Sequence, residues 1–151
     1  MKKRDCIFCS IIDEDLPGIE IFRDDICIVL MDIFPISRGH LMVIPLVHCG
    51  FSHELSESVR SHIFEKASML SEVICRSDLQ AKGAHILIND GKAANQHIPH
   101  VHMHVIPRYK HDLIFILLRL LTRFINPFAM IGRQKRLKKQ AGEIQRALSD
   151  L

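Results

Sequence analysis

Length, composition and charge favour one globular domain and exclude a dedicated nucleic-acid binder. The chain has 151 residues, of which 48% are hydrophobic, which suits one domain with its own core and is a poor fit for two. The formal net charge is only +3 at pH 7, so no strong field of one sign covers the molecule.

The distribution of charges and cysteines favours a reduced, cytoplasmic protein. Acidic residues at 13–15 interrupt any apolar run after the basic start, so no secretory signal is expected. The five cysteines are an odd number, and Cys27, Cys49 and Cys75 have no regular spacing, which is typical of reduced thiols in the cytoplasm. The basic run at 133–139 is interpreted as a solvated helix face rather than as a patch for an anionic surface.

The first part of the chain predicts three strands. Residues 19–22 and 26–31 are β-rich runs separated by the polar residues 23–25, which is typical of a hairpin. The apolar run 41–44 ends at Pro45 and predicts a third strand, buried on both faces.

A long helix and two further strands follow. Apolar residues from about Leu55 to Cys75 recur near helical spacing, and Gly83 is interpreted as the stop signal of this helix. Residues 85–89 and 101–107 predict two strands around a polar loop. Because the strands come in runs and the helices are set apart, we expect an α+β domain with a largely antiparallel sheet.

The histidine-rich strand is the most informative part of the sequence. Side chains alternate in an extended chain, so His100, His102 and His104 share one face, with neighbouring imidazoles about 7 Å apart. Such a row can hold a nucleophile, because neutral imidazole is nucleophilic near physiological pH. The same row could be a zinc site or three incidental histidines on a polar sheet face.

The pattern His-φ-His-φ-His-φ-φ at residues 100–106 resembles the defining signature of the HIT (histidine triad) superfamily. Further motifs resemble the bacterial HIT pattern in the same order: Cys6-Ile7-Phe8-Cys9-Ser10-Ile11-Ile12, Met31-Asp32-Ile33-Phe34-Pro35, Arg38-Gly39-His40, Val43-Ile44-Pro45, Asn89-Asp90-Gly91-Lys92-Ala93-Ala94 and Gln96. The resemblance covers about residues 5 to 109. It implies the HIT fold, with a mainly antiparallel sheet and a long central helix. The residues after the resemblance are predicted from their own pattern to form a helical C-terminal extension.

The resemblance implies catalytic roles for four residues. His102 would form a covalent nucleotidyl intermediate, and His104 would contact the α-phosphate. His100 would help to orient the nucleophile. Gln96 would contact the phosphate bridge and position the attacking water.

The resemblance also implies a nucleotide-binding set. Asp32 would bind the ribose hydroxyls, and Asn89 would lie in a phosphate-binding loop. The base pocket would be formed by Phe8, Leu16, Leu30 and Ile33. Two positions depart from the family pattern. Asn95 stands where a glycine is usual, which Asn tolerates because it accepts positive φ better than most residues. His97 stands where a serine or threonine is common, and is interpreted as a phosphate or leaving-group contact.

The cysteine pair Cys6 and Cys9 has the spacing of a zinc knuckle but lacks a second pair. Bacterial HIT proteins complete such a site with two histidines, which here would be His48 and His100. A Cys₂His₂ set implies a structural zinc ion. The alternatives are two buried thiols without metal, and Cys49 as a ligand in place of His48.

The expected function is therefore a HIT hydrolase or transferase. Its substrates would be AMP-type purine nucleotides, either adenosine 5′-phosphoramidates or dinucleoside polyphosphates, and it would form a homodimer through the central helix and a strand. Two other functions stay open. One is a nucleotide-binding or partner-binding protein with little turnover, and the other is a metal-dependent hydrolase that uses the triad as ligands.

Residues 1–110 are predicted to form the HIT domain and residues 111–151 a helical extension of it. Within the extension, Asp112 and Pro127 bound a predicted helix at 113–126 that is apolar apart from one narrow polar stripe. Its length of about 21 Å is too short to cross a membrane. Burial against the domain or a partner is favoured over contact of 113–139 with a membrane surface.

Overall fold

One five-stranded antiparallel sheet organises the residues that the structure describes. This computed structural model describes residues 5–114, 117 and 132–150. The strands are β1 (Glu20–Arg23), β2 (Cys27–Met31), β3 (Leu41–Pro45), β4 (Gly83–Ile88) and β5 (Met103–Arg108). Their order in the sheet is β1-β2-β3-β5-β4, and every neighbouring pair is antiparallel. The α+β prediction with a mainly antiparallel sheet is confirmed.

The long central helix is confirmed, but the predicted stop signal is wrong. The described helices are α1 (Ile7–Ile12), α2 (Glu57–Arg76) and α3 (Arg133–Ser149). The α2 helix begins where the Ser56 side chain accepts a hydrogen bond from the Val59 amide. It ends at Arg76, and Gly83 instead begins β4. A glycine after an apolar run can begin a strand as well as end a helix, so the position of Gly83 in the sequence does not show which of the two it does.

The sheet has a core on each face, as the buried third strand predicts. Every residue of β2 and β3 is buried. Alternate residues such as Val29 and Val43 point into a large core beneath α2 and α3, while Ile28 and Ile44 point into a smaller core beneath α1. The smaller core also holds Cys6, Phe8 and Cys9, so α1 closes that face.

The C-terminal helix α3 packs onto the large core. Its buried residues Leu137, Ala141 and Ile144 recur at helical spacing. The predicted helix at 113–126 lies almost wholly outside the described residues. Among the residues that the structure describes, no helix is long and apolar enough to cross a membrane.

Asp24 joins the β1–β2 hairpin to α2. Its Oδ1 accepts hydrogen bonds from the amides of Ile26 and Cys27, each at 2.9 Å. Its Oδ2 lies 2.8 Å from His62 Nε2 and 3.3 Å from Lys66 Nζ. Burial works against ionisation of the carboxyl, but these donors outweigh it and hold the pKa of Asp24 well below its ordinary value.

Replacing Asp24 with alanine should lower the free energy of unfolding by roughly 1–3 kcal/mol at neutral pH. A carboxylate whose pKa is lowered by folding stabilises the protein above its ordinary pKa, and this contribution disappears as the pH falls below that value. The difference between wild type and Asp24→Ala should therefore narrow from about pH 4 downward. Urea unfolding across this range measures it, with the exposed neighbour Asp25→Ala as control. A difference that does not change with pH would contradict this account.

Candidate active site

His102 and His104 form the centre of the candidate site. Their ring centroids lie 4.8 Å apart at an interplanar angle of 75°. The strand β5 begins at Met103 and not at Val101 as predicted, because the Val101 amide donates to the carbonyl of Cys49 at 2.8 Å. The chain is therefore not yet a regular strand at His100, and the three imidazoles do not form one even row.

The ring of His102 is fixed through one of its nitrogens. Nδ1 lies 2.7 Å from the carbonyl oxygen of His100. A carbonyl can only accept, so Nδ1 donates and Nε2 keeps its lone pair. Burial lowers the pKa of His102, against the opposing effect of this hydrogen bond. The Phe8 ring packs edge-on against His102 at 5.1 Å between centroids. The geometry thus presents a neutral imidazole with a free Nε2.

His104 is held from its other side by a chain of polar contacts. His104 Nδ1 lies 3.0 Å from His40 Nε2, and His40 Nδ1 lies 3.3 Å from Asp32 Oδ2. His40 is almost completely buried, and Asp32 is buried too. Asp32 Oδ1 also accepts from the Phe34 amide at 2.7 Å. Buried polar groups arranged in this way restrict one another's orientation.

His40 is the site residue whose role sequence reasoning missed. It appeared only within the Arg38-Gly39-His40 motif, without a function. Its contact with His104 depends on how the β2–β3 loop folds back, which no periodicity in the sequence encodes. The contact of Asp32 with His40 was not predicted from the sequence either. A carboxylate has enough lone pairs to make this contact and also to accept hydrogen bonds from ribose hydroxyls.

The side chain of Gln96 holds the loop between β4 and β5 in place through two hydrogen bonds, one within the loop and one to the loop after β3. Its Oε1 accepts from the Gly91 amide at 2.9 Å, and its Nε2 donates to the Gly50 carbonyl at 2.8 Å. Asn95, just before it, has φ 63°, a left-handed conformation that Asn adopts more readily than most residues. Asn89 follows β4 and is half-buried, whereas His97 is exposed.

Only two of the four residues predicted to form the base pocket line the same cavity. Leu16 and Leu30 line a cavity of about 230 Å³ beside Ile11. Phe8 is buried next to His102 and does not belong to the lining of that cavity. Ile33 is half exposed and also lies elsewhere.

The four predicted metal ligands lie together beneath α1. Cys6, Cys9, His48 and His100 each offer one ligand atom within 4.8 Å of the others. The Cys6 and Cys9 sulfurs lie 3.4 and 3.7 Å from His100 Nδ1, and the Nδ1 atoms of His48 and His100 are 3.3 Å apart. Tetrahedral zinc at ordinary bond lengths requires separations of about 3.5 Å between S and N and about 3.3 Å between two nitrogens. The donor set therefore fits a tetrahedral metal ion such as zinc.

The surroundings of His100 suit a metal ligand. Its Nε2 donates to the Pro45 carbonyl at 2.9 Å, which leaves Nδ1 free to coordinate and orients the ring. Burial lowers the pKa of His100 to about 4, so the ring is neutral at physiological pH. Cys49, the alternative ligand, is not in this group of four.

The sequence pattern of the HIT domain matches residues 14–111. The chain belongs to the HIT family. Among curated relatives of this HIT protein, the adenylylsulfatase HINT3 of Arabidopsis thaliana is 34% identical over 113 residues, which are 75% of this chain but 57% of that longer protein. The adenosine 5′-monophosphoramidase of Schizosaccharomyces pombe is 33% identical over 103 residues, covering 68% of this chain and 74% of that protein.

Solved structures extend the likeness to almost the whole chain. A zinc-bound histidine triad family protein from Mycobacterium smegmatis has a TM-score of 0.81 and 30% identity, covering 98% of this HIT protein and 96% of the other chain. The match therefore reaches well beyond residues 14–111.

Proposed function

We propose that this HIT protein is a nucleotide hydrolase or transferase that acts at the α-phosphorus of AMP-type substrates. The observation that carries the proposal is the state of His102, a buried and neutral imidazole whose Nδ1 is committed to the His100 carbonyl. Its Nε2 is thereby the nucleophilic atom, beside a second histidine that is itself held in place.

The reaction proceeds in two displacement steps at phosphorus. In the first, His102 Nε2 forms a bond to the α-phosphorus while the bond to the leaving group breaks, and the leaving group departs with the electron pair and takes up a proton. In the second, water or another acceptor attacks the phosphorus, loses a proton and releases His102. His104 contacts the α-phosphate oxygens, where a preoriented donor stabilises the charge that develops.

The remaining site residues orient the nucleotide. Asp32 accepts hydrogen bonds from the ribose hydroxyls, and Leu16 and Leu30 offer apolar surface to the base. Asn89 and Gln96 both belong to the loop between β4 and β5, which borders the phosphate, and Gln96 directs the attacking water. His97 contacts the phosphate or the leaving group. The names of the two curated relatives both describe adenylyl compounds, which supports AMP-type substrates.

Zinc and a second copy of the chain complete the proposal. Zinc bound by Cys6, Cys9, His48 and His100 is structural, because a set of four protein ligands leaves no open position for chemistry. It ties α1 to the loop after β3 and to the segment before β5. A homodimer is supported by β4, which forms an edge of the sheet, and by Phe64 on α2, which is 56% exposed.

The nucleophile is tested by His102→Ala. This variant should lose turnover of adenosine 5′-phosphoramidates and diadenosine polyphosphates while it still binds AMP, because the substitution removes the group that attacks and not the pocket. Single-turnover assays with trapping of a nucleotidyl adduct measure the first property, and calorimetry measures the second. His85→Ala, at an exposed position on β4, is the control. Near-normal turnover by His102→Ala would refute the mechanism.

The same assay separates the alternatives. A binding protein would hold AMP without forming an adduct. A hydrolase that uses the triad to hold a metal would lose turnover on chelation even while its fold persists. The proposed mechanism instead requires no metal at the phosphorus.

The zinc site predicts about one zinc ion per chain in protein purified without added metal. Cys9→Ser should lose the ion and unfold at lower temperature, since the metal joins three separate segments. Cys75→Ser, at an exposed cysteine, should keep the zinc ion and the unfolding temperature of the wild type. Elemental analysis and thermal unfolding make the comparison, and freshly purified reduced protein that contains no zinc would favour the free-thiol interpretation.

The ribose contact is tested by Asp32→Ala. Loss of charge-assisted hydrogen bonds should weaken AMP binding by about tenfold to a hundredfold. A phosphoramidate without ribose should lose much less. If both ligands lose equally, Asp32 acts through His40 and not through the ribose.

A further inference from the structure

The turn at Gly39 sets the position of His40. Gly39 has φ +76° and lies so close to the large core that a Cβ there would be 2.5 Å from Leu79 Cδ1. No larger side chain fits at this point without displacement of Leu79. The backbone at Gly39, directly before His40, thus lies tightly against the packed interior.

Three hydrogen bonds hold this turn from outside the loop. The Gly39 amide donates to Gln140 Oε1 on α3 at 3.0 Å. Ser37 Oγ donates to the Pro107 carbonyl at 2.6 Å, and Tyr109 OH donates to the Arg38 carbonyl at 3.0 Å. Of these contacts, the one from Gln140 reaches the residue directly before His40, and it comes from outside the matched HIT domain at 14–111.

We propose that Gln140 is a positioning residue for His104. By accepting from the Gly39 amide, it fixes the peptide between Arg38 and Gly39, one residue before His40, and so keeps His40 Nε2 at 3.0 Å from His104 Nδ1. The C-terminal helix thereby takes part in arranging the site. This inference rests on the proposed function, in which His104 contacts the α-phosphate.

Gln140 can be separated from the docking of its helix. The α3 helix is anchored by Leu137, Ala141 and Ile144 in the large core. Gln145 Nε2 also donates to the Glu20 carbonyl on β1 at 3.2 Å. Since these contacts are independent of the loop, loss of the Gln140 acceptor should leave the helix in place. The effect should therefore appear in the chemistry more than in the fold.

The helix also reaches the start of the same loop. Arg133 donates to the Ile33 carbonyl at 3.2 Å, and its guanidinium lies 5.1 Å from the centre of the Phe34 ring. Asp32 precedes these residues and contacts His40. The α3 helix therefore contacts the β2–β3 loop near both of its ends.

The test compares three substitutions in the full chain. Gln140→Met keeps the length of the side chain and removes the acceptor, and should lower kcat about tenfold with KM changed less than about twofold. Gln140→Glu restores an acceptor oxygen and should recover most of kcat. Gln145→Met removes the bond to β1 and should leave kcat near wild type. If Gln140→Met does not fold, Gln140→Asn withdraws the acceptor and takes its place with the same expected loss.

The outcomes distinguish this inference from the proposed function. If wild type turns over substrate and Gln140→Met has an unchanged kcat, the inference is wrong and the proposed function stands. Equal losses of kcat in Gln140→Met and Gln145→Met would mean that both contacts only stabilise the fold, and would also overturn the inference. If wild type has no turnover, the proposed function fails, and imidazole ¹⁵N shifts decide the positioning. If the ¹⁵N shifts of His40 and His104 change in Gln140→Met but not in Gln145→Met, the positioning role of Gln140 is supported. If they do not change in Gln140→Met, that role is refuted.

Discussion

The hydrogen bond between His102 Nδ1 and the His100 carbonyl is the contact on which the candidate site depends. It fixes which nitrogen of His102 keeps its lone pair. The acceptor is the backbone carbonyl of His100, so the His100 side chain is not used in this contact. That side chain points into the cysteine cluster, where Pro45 orients it. His100 thus connects the cysteine and histidine cluster to His102, through its side chain on one side and its backbone carbonyl on the other.

The two central histidines are held from different parts of the fold. His102 is restrained through His100 and Phe8 on the face of the sheet that α1 covers. His104 is restrained through His40 and Asp32, at the end of the loop that passes the large core. Because α3 packs on the large core, the Gly39 turn is the place where that core meets the chain of contacts leading to His104.

Sequence reasoning succeeded where the signal is local. The continuous apolar run 41–44 predicted a strand buried on both faces, which the structure has. The spacing of Cys6 and Cys9 suggested a metal site, and the resemblance to HIT proteins supplied His48 and His100, which do lie beside the two cysteines. It failed where a residue's role depends on a distant partner. The strand predicted at 101–107 does not begin at Val101, because the Val101 amide donates to the carbonyl of Cys49. Gly83 begins a strand because it pairs with Arg108 of β5. Neither contact leaves a trace in hydrophobic periodicity.

The same reasoning explains why His40 and Gln140 escaped notice. His40 lies 64 residues from His104 along the chain, and Gln140 lies 101 residues from Gly39. A buried imidazole and a half-buried amide are each ordinary residues until the loop brings them to their partners. Since hydrogen bonds depend on geometry at the scale of tenths of an ångström, a pattern that predicts the strand cannot predict such a bond. The histidine signature of this chain is local, whereas the contacts that hold its histidines in position are tertiary.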